Sequence, residues 1–263
     1  MPGQPIPRSL ITKSNRLDPS SAAQVYRLNA STIAKTGDGV NMSEAATLRY
    51  VRQHTSIPVP EVFESYIHPE TGYSCIIMKY IEKKTLNEVW SAYSDEKKER
   101  VIEQLKRYVE QLRSIEAQNI GTMNDERVQN QFFDDDDEPE MMRPFDGVNA
   151  FHERLIMILE SKEKDSKKKI MEHFSSEVSK GKGYRILLTH NDIVARNIMV
   201  KGDNVCAIVD WELAGFFPEY WEYCSAVSWA DSESPLEREV GFDAVLESYP
   251  EELTYMRRLW DHF

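Results

Sequence analysis

The chain of 263 residues carries 41% hydrophobic and 10% aromatic residues, enough to bury a substantial core in one large domain or in two lobes about a cleft. Its formal net charge of −12 argues against a nonspecific nucleic-acid binder or a binder of anionic membranes, which need a basic surface, and is compatible with a cationic substrate or simply with solubility. Cys75, Cys206 and Cys224 form no Cys-x-x-Cys pair, the opening Met1–Pro7 has no apolar targeting run, and no apolar stretch nears membrane-spanning length, so a cytoplasmic protein with reduced thiols is expected.

Taken in order, the first 80 residues read as strands around one helix. A first strand is expected near Leu10–Leu17. Gln24–Asn29 alternates polar and apolar residues, and Ser31–Lys35 follows after a very short turn, so these two make an antiparallel pair. Glu44–His54 sets Ala45, Leu48, Val51 and Arg52 three or four apart and predicts a helix; Glu44, three residues after Asn41, also fits a capping-box partner. Thr55–Val62 reads as an extended connection, because each Pro pushes its predecessor out of the helical region, and Tyr73–Ile81 as an apolar strand. Beyond it the period changes to that of helices. Leu86–Tyr93 and Glu96–Ala117 carry apolar residues at helical spacing, Val101, Leu105, Tyr108, Val109 and Leu112 among them. The acidic run Asp134–Glu138 reads as a solvated loop, Ala150–Leu159 and Ser166–Val178 as helices, and Gly181-Lys182-Gly183 as a turn. Glu219–Trp229, Leu236–Tyr249 and Leu253–Phe263 complete the helical part.

The chemistry concentrates between Ile186 and Leu213. Asn197–Val200 and Val205–Val209 are apolar runs joined by Lys201-Gly202-Asp203-Asn204, which predicts a hairpin. A hairpin returns its second strand to the end where the first began, so Asn197 meets Asp210, with His190 and Asp192 in the loop just before. One amide and two carboxylates then converge, and oxygen donors of this kind suit Mg²⁺, which takes one or two carboxylates from a protein and the rest from phosphates and water.

Asp192-x-x-x-x-Asn197, a strand-turn-strand, and then Asp210 at the end of an apolar run match the catalytic loop and metal-binding Asp of kinase-type phosphoryl transfer. With His190-Asn191-Asp192 and Val209-Asp210-Trp211-Glu212, the chain resembles the aminoglycoside phosphotransferase and choline kinase-like family, and Ala214–Tyr223 looks like its fungal branch. The resemblance implies an α+β, protein-kinase-like bilobal fold: a small β-rich nucleotide-binding lobe over residues 1–81 and a larger, mainly helical lobe over 82–263. It implies ATP or GTP as phosphoryl donor, Mg²⁺, and a small-molecule hydroxyl as acceptor. Asp192 would orient that hydroxyl and accept its proton, while Asn197 and Asp210 hold the metal. Lys35 would reach the nucleotide phosphates and be held by Glu44. Backbone groups of Lys79 and Ile81 would meet the base edge, with Met78 lining the pocket. His190 would brace the loop, Arg196 would form an ion pair or touch substrate, and Glu212 would stand behind the metal.

Two features depart from the family pattern. No Gly-rich loop or Walker-type motif occurs, its place being held by Asp18–Ala23, whose small side chains still allow backbone N–H groups near phosphate. Asn191 stands where the family usually has Gly; if that position needs a positive φ, Asn is among the residues that tolerate it best. Two other readings therefore stay open: a kinase-like nucleotide-binding or scaffold protein without turnover, and a metal-dependent hydrolase using His190, Asp192 and Asp210 as ligands. If the acceptor is cationic, Asp134–Glu138 with Glu219 and Glu222 would supply the attracting field.

Overall fold

The computed structural model describes residues 12–17, 24–37, 39–124, 144–229 and 234–260. β1 (Gln24–Arg27), β2 (Thr32–Gly37), β3 (Val62–Ile67) and β4 (Ser74–Lys79) form one antiparallel sheet in the order β1-β2-β4-β3. Between β2 and β3 runs α1 (Met42–His54), which starts where the Asn41 side chain accepts from the Ser43 N–H at 2.8 Å and buries Ala45, Leu48 and Val51. The cap is Asn41 alone; the Glu44 side chain turns instead toward the sheet, as described below.

The N-terminal strand expected near Leu10–Leu17 does not form over its described part. Lys13–Asn15 is a single 3₁₀ turn, and the Arg16 backbone forms an isolated bridge to Tyr26 rather than part of a strand. Asn15 Oδ1 accepts both the Thr12 N–H at 3.0 Å and the Thr12 hydroxyl at 2.6 Å, a local alternative to strand pairing. Conversely, β3 exceeds the extended connection read from the prolines. It is an edge strand with a register shift between Val62 and Glu64 and with Phe63 and Ile67 exposed, so its apolar residues do not mark one buried face.

After the sheet come β5 (Lys84–Thr85), the short α2 (Leu86–Val89) with a Thr85–Glu88 capping box, and α3 (Asp95–Arg113). The helix expected to run to Ala117 ends at Arg113, because Glu116–Ala117 forms β6 and pairs with the buried β7 (Ile186–Thr189). α4 (Gly147–Ser161) and α5 (Asp165–His173) follow, the latter continuing as a π turn through Val178. β8 (Ile198–Lys201) and β9 (Asn204–Ile208) make the expected hairpin, with Gly202 at φ 64° in its two-residue turn. β10 (Gly215–Pro218) pairs with β7 and leads into α6 (Trp221–Trp229). The single helix expected over Leu236–Tyr249 is broken: α7 (Pro235–Glu239) stops before Gly241 at φ 72°, and only a 3₁₀ turn, Phe242–Ala244, precedes α8 (Pro250–Trp260). No helix among the described residues is long and apolar enough to cross a membrane.

Two large cores position the site. One, around Phe151, Phe174, Phe217, Tyr220 and Trp221, fills the helical part. The other joins Leu48 of α1 and Met78 of β4 to Leu105 of α3 and to Ile198, Val205 and Ile208 of the hairpin. The sheet, α3 and the hairpin are therefore packed into one body around the cleft. The hairpin tip is tied down as well: Arg100 Nε donates to Asp203 at 2.6 Å, and Gln104 Nε2 donates to the Asp203 carbonyl at 2.7 Å.

Candidate active site

The hairpin places its ends as expected. The Val209 N–H donates to the Asn197 carbonyl at 2.9 Å, so Asn197 and Asp210 leave paired strands at the same end. Asn197, 6% exposed, donates through Nδ2 to the Asp192 carboxylate at 2.7 Å and to the Asp192 carbonyl at 2.9 Å. Its amide is thereby oriented by two bonds to one residue. Asp210 has φ 66°, a left-handed conformation that Asp tolerates better than most residues.

Across the cleft, Lys35 on β2 reaches these groups. Its Nζ lies 2.9 Å from Glu44, 2.9 Å from Asp210 and 2.8 Å from Glu212. Burial alone would push the Lys35 ammonium down, but the three carboxylates outweigh it and hold the pKa well above the ordinary lysine value. Burial raises Glu44, with Lys35 opposing it. Burial would also raise Asp210, yet Lys35, helped by His190 and Arg196, holds it below the usual carboxylate range, so Asp210 is ionised at neutral pH. Glu212 thus touches Lys35 rather than standing apart from the cleft.

The loop carrying Asp192 is anchored from beneath. Glu222, 1% exposed on α6, accepts the His190 N–H at 2.6 Å and the Asn191 N–H at 2.9 Å. Its carboxyl is raised by burial, against the opposing pull of His190, Arg113 and the two N–H groups. His190 Nδ1 accepts the Asp192 N–H at 3.2 Å, which leaves Nε2 as the donor to the Val209 carbonyl at 3.1 Å. Both ring nitrogens serve the backbone, so His190 braces the loop and offers no free nitrogen to a metal. Asn191 sits at φ 72°, the left-handed conformation anticipated for a position that usually holds Gly. Its side chain also does what Gly could not: Oδ1 accepts from Ser225 Oγ at 2.8 Å, and Nδ2 donates to the Leu213 carbonyl at 3.3 Å.

Lys35, Glu44, Met78, Lys79, Ile81, Asn197 and Asp210 all line one cleft of about 300 Å³, together with Val25, Ile33, Met199 and Glu212. Asp192 does not line this cleft itself; it is bonded to Asn197, which does. The Lys79 N–H is already bound to the Glu61 carbonyl at 2.9 Å. Asp18–Ala23 and Asp134–Glu138 fall outside the described residues. Glu219 and Glu222 do not form an open acidic face: Glu219 pairs with Arg185 at 2.8 Å, and Glu222 is enclosed beneath the loop. Sequence reasoning missed the anchoring role of Glu222. The available signal was its position as the lone charged residue in the mostly apolar and aromatic Trp221–Trp229 segment.

The amino-acid sequence matches the profile of the phosphotransferase enzyme family over residues 32–257. No curated protein matches it significantly. Among solved structures, a thermostable mutant of aminoglycoside phosphotransferase APH(4)-Ia in apo form is similar at a TM-score of 0.61 and 14% identity, covering 93% of this chain and 83% of that one. ADP-bound aminoglycoside phosphotransferase APH(2'')-Ib gives 0.55 and 17%, covering 93% and 80%. The streptomycin-ATP-APH(2")-IIa ternary complex gives 0.51 and 18%, covering 80% and 68%. At these identities the likeness shows the fold, an α+β, protein-kinase-like arrangement of a β-sheet N-terminal region and a helical C-terminal region. The profile match covers most of the chain, and the chain belongs to the phosphotransferase enzyme family.

Proposed function

We propose that the cleft transfers the γ-phosphoryl group of ATP or GTP, in the presence of Mg²⁺, to a hydroxyl of a small molecule. The observation that carries this reading is the convergence of Lys35, Asp192, Asn197 and Asp210 in one place: Lys35 bonds Asp210 at 2.9 Å and Asn197 bonds Asp192 at 2.7 Å. The nucleotides named with the similar structures, ADP and ATP, support the donor class.

Asp192 would accept the hydroxyl proton and aim the oxygen at the phosphorus. An amide oxygen and an ionised carboxylate are hard donors suited to Mg²⁺, so Asn197 and Asp210 would hold the metal. When bound, it would neutralise charge on the phosphates. Lys35 has its ammonium within ion-pair distance of three carboxylates, so it would meet the α- and β-phosphates as Asp210 turns to the metal, with Glu44 keeping its position. Since the Lys79 N–H is taken, the Lys79 carbonyl and the Ile81 N–H would face the base edge, over Met78. We place the nucleotide-binding lobe in residues 1–81 and the catalytic lobe in 82–263, and take the protein to work in the cytoplasm without nucleic-acid or membrane partners. A cationic acceptor is compatible with the net charge of −12, as is a neutral one.

The test is to incubate the purified protein with ATP or GTP, Mg²⁺ and a panel of hydroxylated compounds that includes aminoglycosides, and to follow nucleoside diphosphate release. Turnover is expected with wild type and lost in Asp192→Ala. Mg²⁺-dependent nucleotide stabilisation without turnover on any acceptor would favour the non-catalytic nucleotide-binding reading.

A further inference from the structure

The carboxylate assigned above as the base is covered. One guanidinium nitrogen of Arg196 donates to both Asp192 oxygens, at 2.6 Å to Oδ1 and 2.8 Å to Oδ2, while Asn197 holds Oδ2 at 2.7 Å. A general base must present a lone pair at hydrogen-bond distance from the proton it takes. Oδ2 is committed to Asn197, which also fixes the loop, so Oδ1 is the oxygen to be uncovered, and its partner is Arg196.

Arg196 is built to give up that contact without moving the loop. It is the middle residue of the 3₁₀ turn Ala195–Asn197, which is pinned by the Ala195 N–H on Glu237 at 2.9 Å and by the Asn197 N–H on the Val194 carbonyl at 2.9 Å. The Arg196 side chain is nevertheless 47% exposed, against 15% for Asp192, and one nitrogen makes the contact instead of a two-pronged fork. Its charge is also felt at Asp210, the carboxylate assigned to the metal. In the phosphotransfer reading the phosphoryl group leaves the nucleotide held by Asp210 for an acceptor held by Asp192, the residue that Arg196 contacts. Lys35 is not free to follow it, being 5% exposed and tied to three carboxylates.

We propose that Arg196 is a catalytic residue that changes partner during turnover, leaving Asp192 for the oxygens of the transferred phosphoryl group when a nucleoside triphosphate fills the cleft. This rests on the phosphotransfer reading above. The exchange uncovers Oδ1 as it places a planar cation, whose donors match phosphate oxygens, where negative charge gathers. The acceptor oxygen then forms its bond to phosphorus as the bond to the bridging oxygen breaks. The nucleoside diphosphate departs with that electron pair, and the hydroxyl proton passes to Asp192 Oδ1.

The experiment needs no acceptor. Calorimetric affinities are measured for a non-hydrolysable ATP analogue and for ADP, each with Mg²⁺, on wild type, Arg196→Gln, Asp192→Asn and the double variant. Arg196→Gln is expected to weaken the triphosphate analogue about tenfold and to leave ADP within about twofold. Asp192→Asn, which removes the competing carboxylate, tightens the analogue, and the double variant loses that gain. Arg196→Lys, which keeps the charge without the planar fork, falls between wild type and Arg196→Gln and serves if the Gln variant does not fold. Equal affinities for both ligands in wild type and Arg196→Gln, or equal losses for both, overturn the proposal and leave a structural ion pair. Absence of any Mg²⁺-dependent nucleotide binding in wild type would instead remove the phosphotransfer reading, and this inference with it.

Discussion

Asn191 makes two separable contributions, and replacing it divides them. Asn191→Gly keeps the φ of 72° without strain but removes the acceptor of the buried Ser225 hydroxyl, bonded at 2.8 Å, and the longer bond to the Leu213 carbonyl at 3.3 Å. Ser225 is fully buried, so its hydroxyl is left without its partner at a cost of about 1–3 kcal/mol, and the weaker bond adds about 0.5 kcal/mol. Gly relieves some residual left-handed strain, giving a net loss of about 2 kcal/mol. Asn191→Ala loses the same bonds and forces a Cβ-bearing residue without a local polar side chain into the left-handed region, about 1 kcal/mol worse again. Urea unfolding at neutral pH should therefore rank wild type above Gly and Gly above Ala, while Mg²⁺-dependent nucleotide stabilisation survives in the Gly variant because the backbone of Asp192 is unmoved. An Ala variant as stable as the Gly variant would refute the requirement for positive φ. A Gly variant as stable as wild type would refute the contribution of the side-chain bonds.

Lys35→Met strips the cation from beneath Glu44, which is 2% exposed, and should destabilise the fold by about 3–5 kcal/mol at pH 7 in urea unfolding. Burial already raises Glu44, so its protonation should narrow the gap to wild type as pH falls toward 5; a constant gap would contradict the geometry. His152 is fully buried against the Tyr220 hydroxyl at 2.7 Å, and burial lowers its pKa from 6.5 to about 4. The unfolded chain takes up the proton first as pH drops, so stability is complete above 6.5 and falls by about 3 kcal/mol on the way to 4. His152→Gln should lack that component, and an unchanged slope in the variant would place the titration elsewhere.

What was legible in the sequence was local. The hairpin follows from two apolar runs around Gly202, and with it the meeting of Asn197 and Asp210, because strand geometry fixes where a two-residue turn returns the chain. The conformation of Asn191 was likewise readable from what the position requires and which residues supply it. The errors fall where tertiary partners decide. β3 hides its strand character behind exposed Phe63 and Ile67, Ala117 belongs to a strand because β7 is there to pair with it, and Gly241 divides a segment whose apolar spacing suits one helix.

The acidic residues show the same limit in chemical form. In the sequence they are a net charge of −12, most simply read as solubility or as a field for a cationic acceptor. In the fold, Glu44 and Glu212 close on Lys35, Glu222 holds two loop N–H groups, and Glu237 holds the Ala195 N–H behind Asn197. Each of these carboxylates already faces a donor, but the single Lys35 charge cannot balance Glu44, Asp210 and Glu212 together, so the cleft keeps net negative charge. Asp192 and Asp210 follow the same rule, facing Arg196 and Lys35. Bringing phosphates and Mg²⁺ into such a site is therefore an exchange of partners in which the metal also meets carboxylate charge that Lys35 leaves unbalanced. The cations must trade carboxylate for phosphate as the metal takes their place, and affinity for nucleotide should depend on Mg²⁺ far more steeply than the net charge of the chain alone implies.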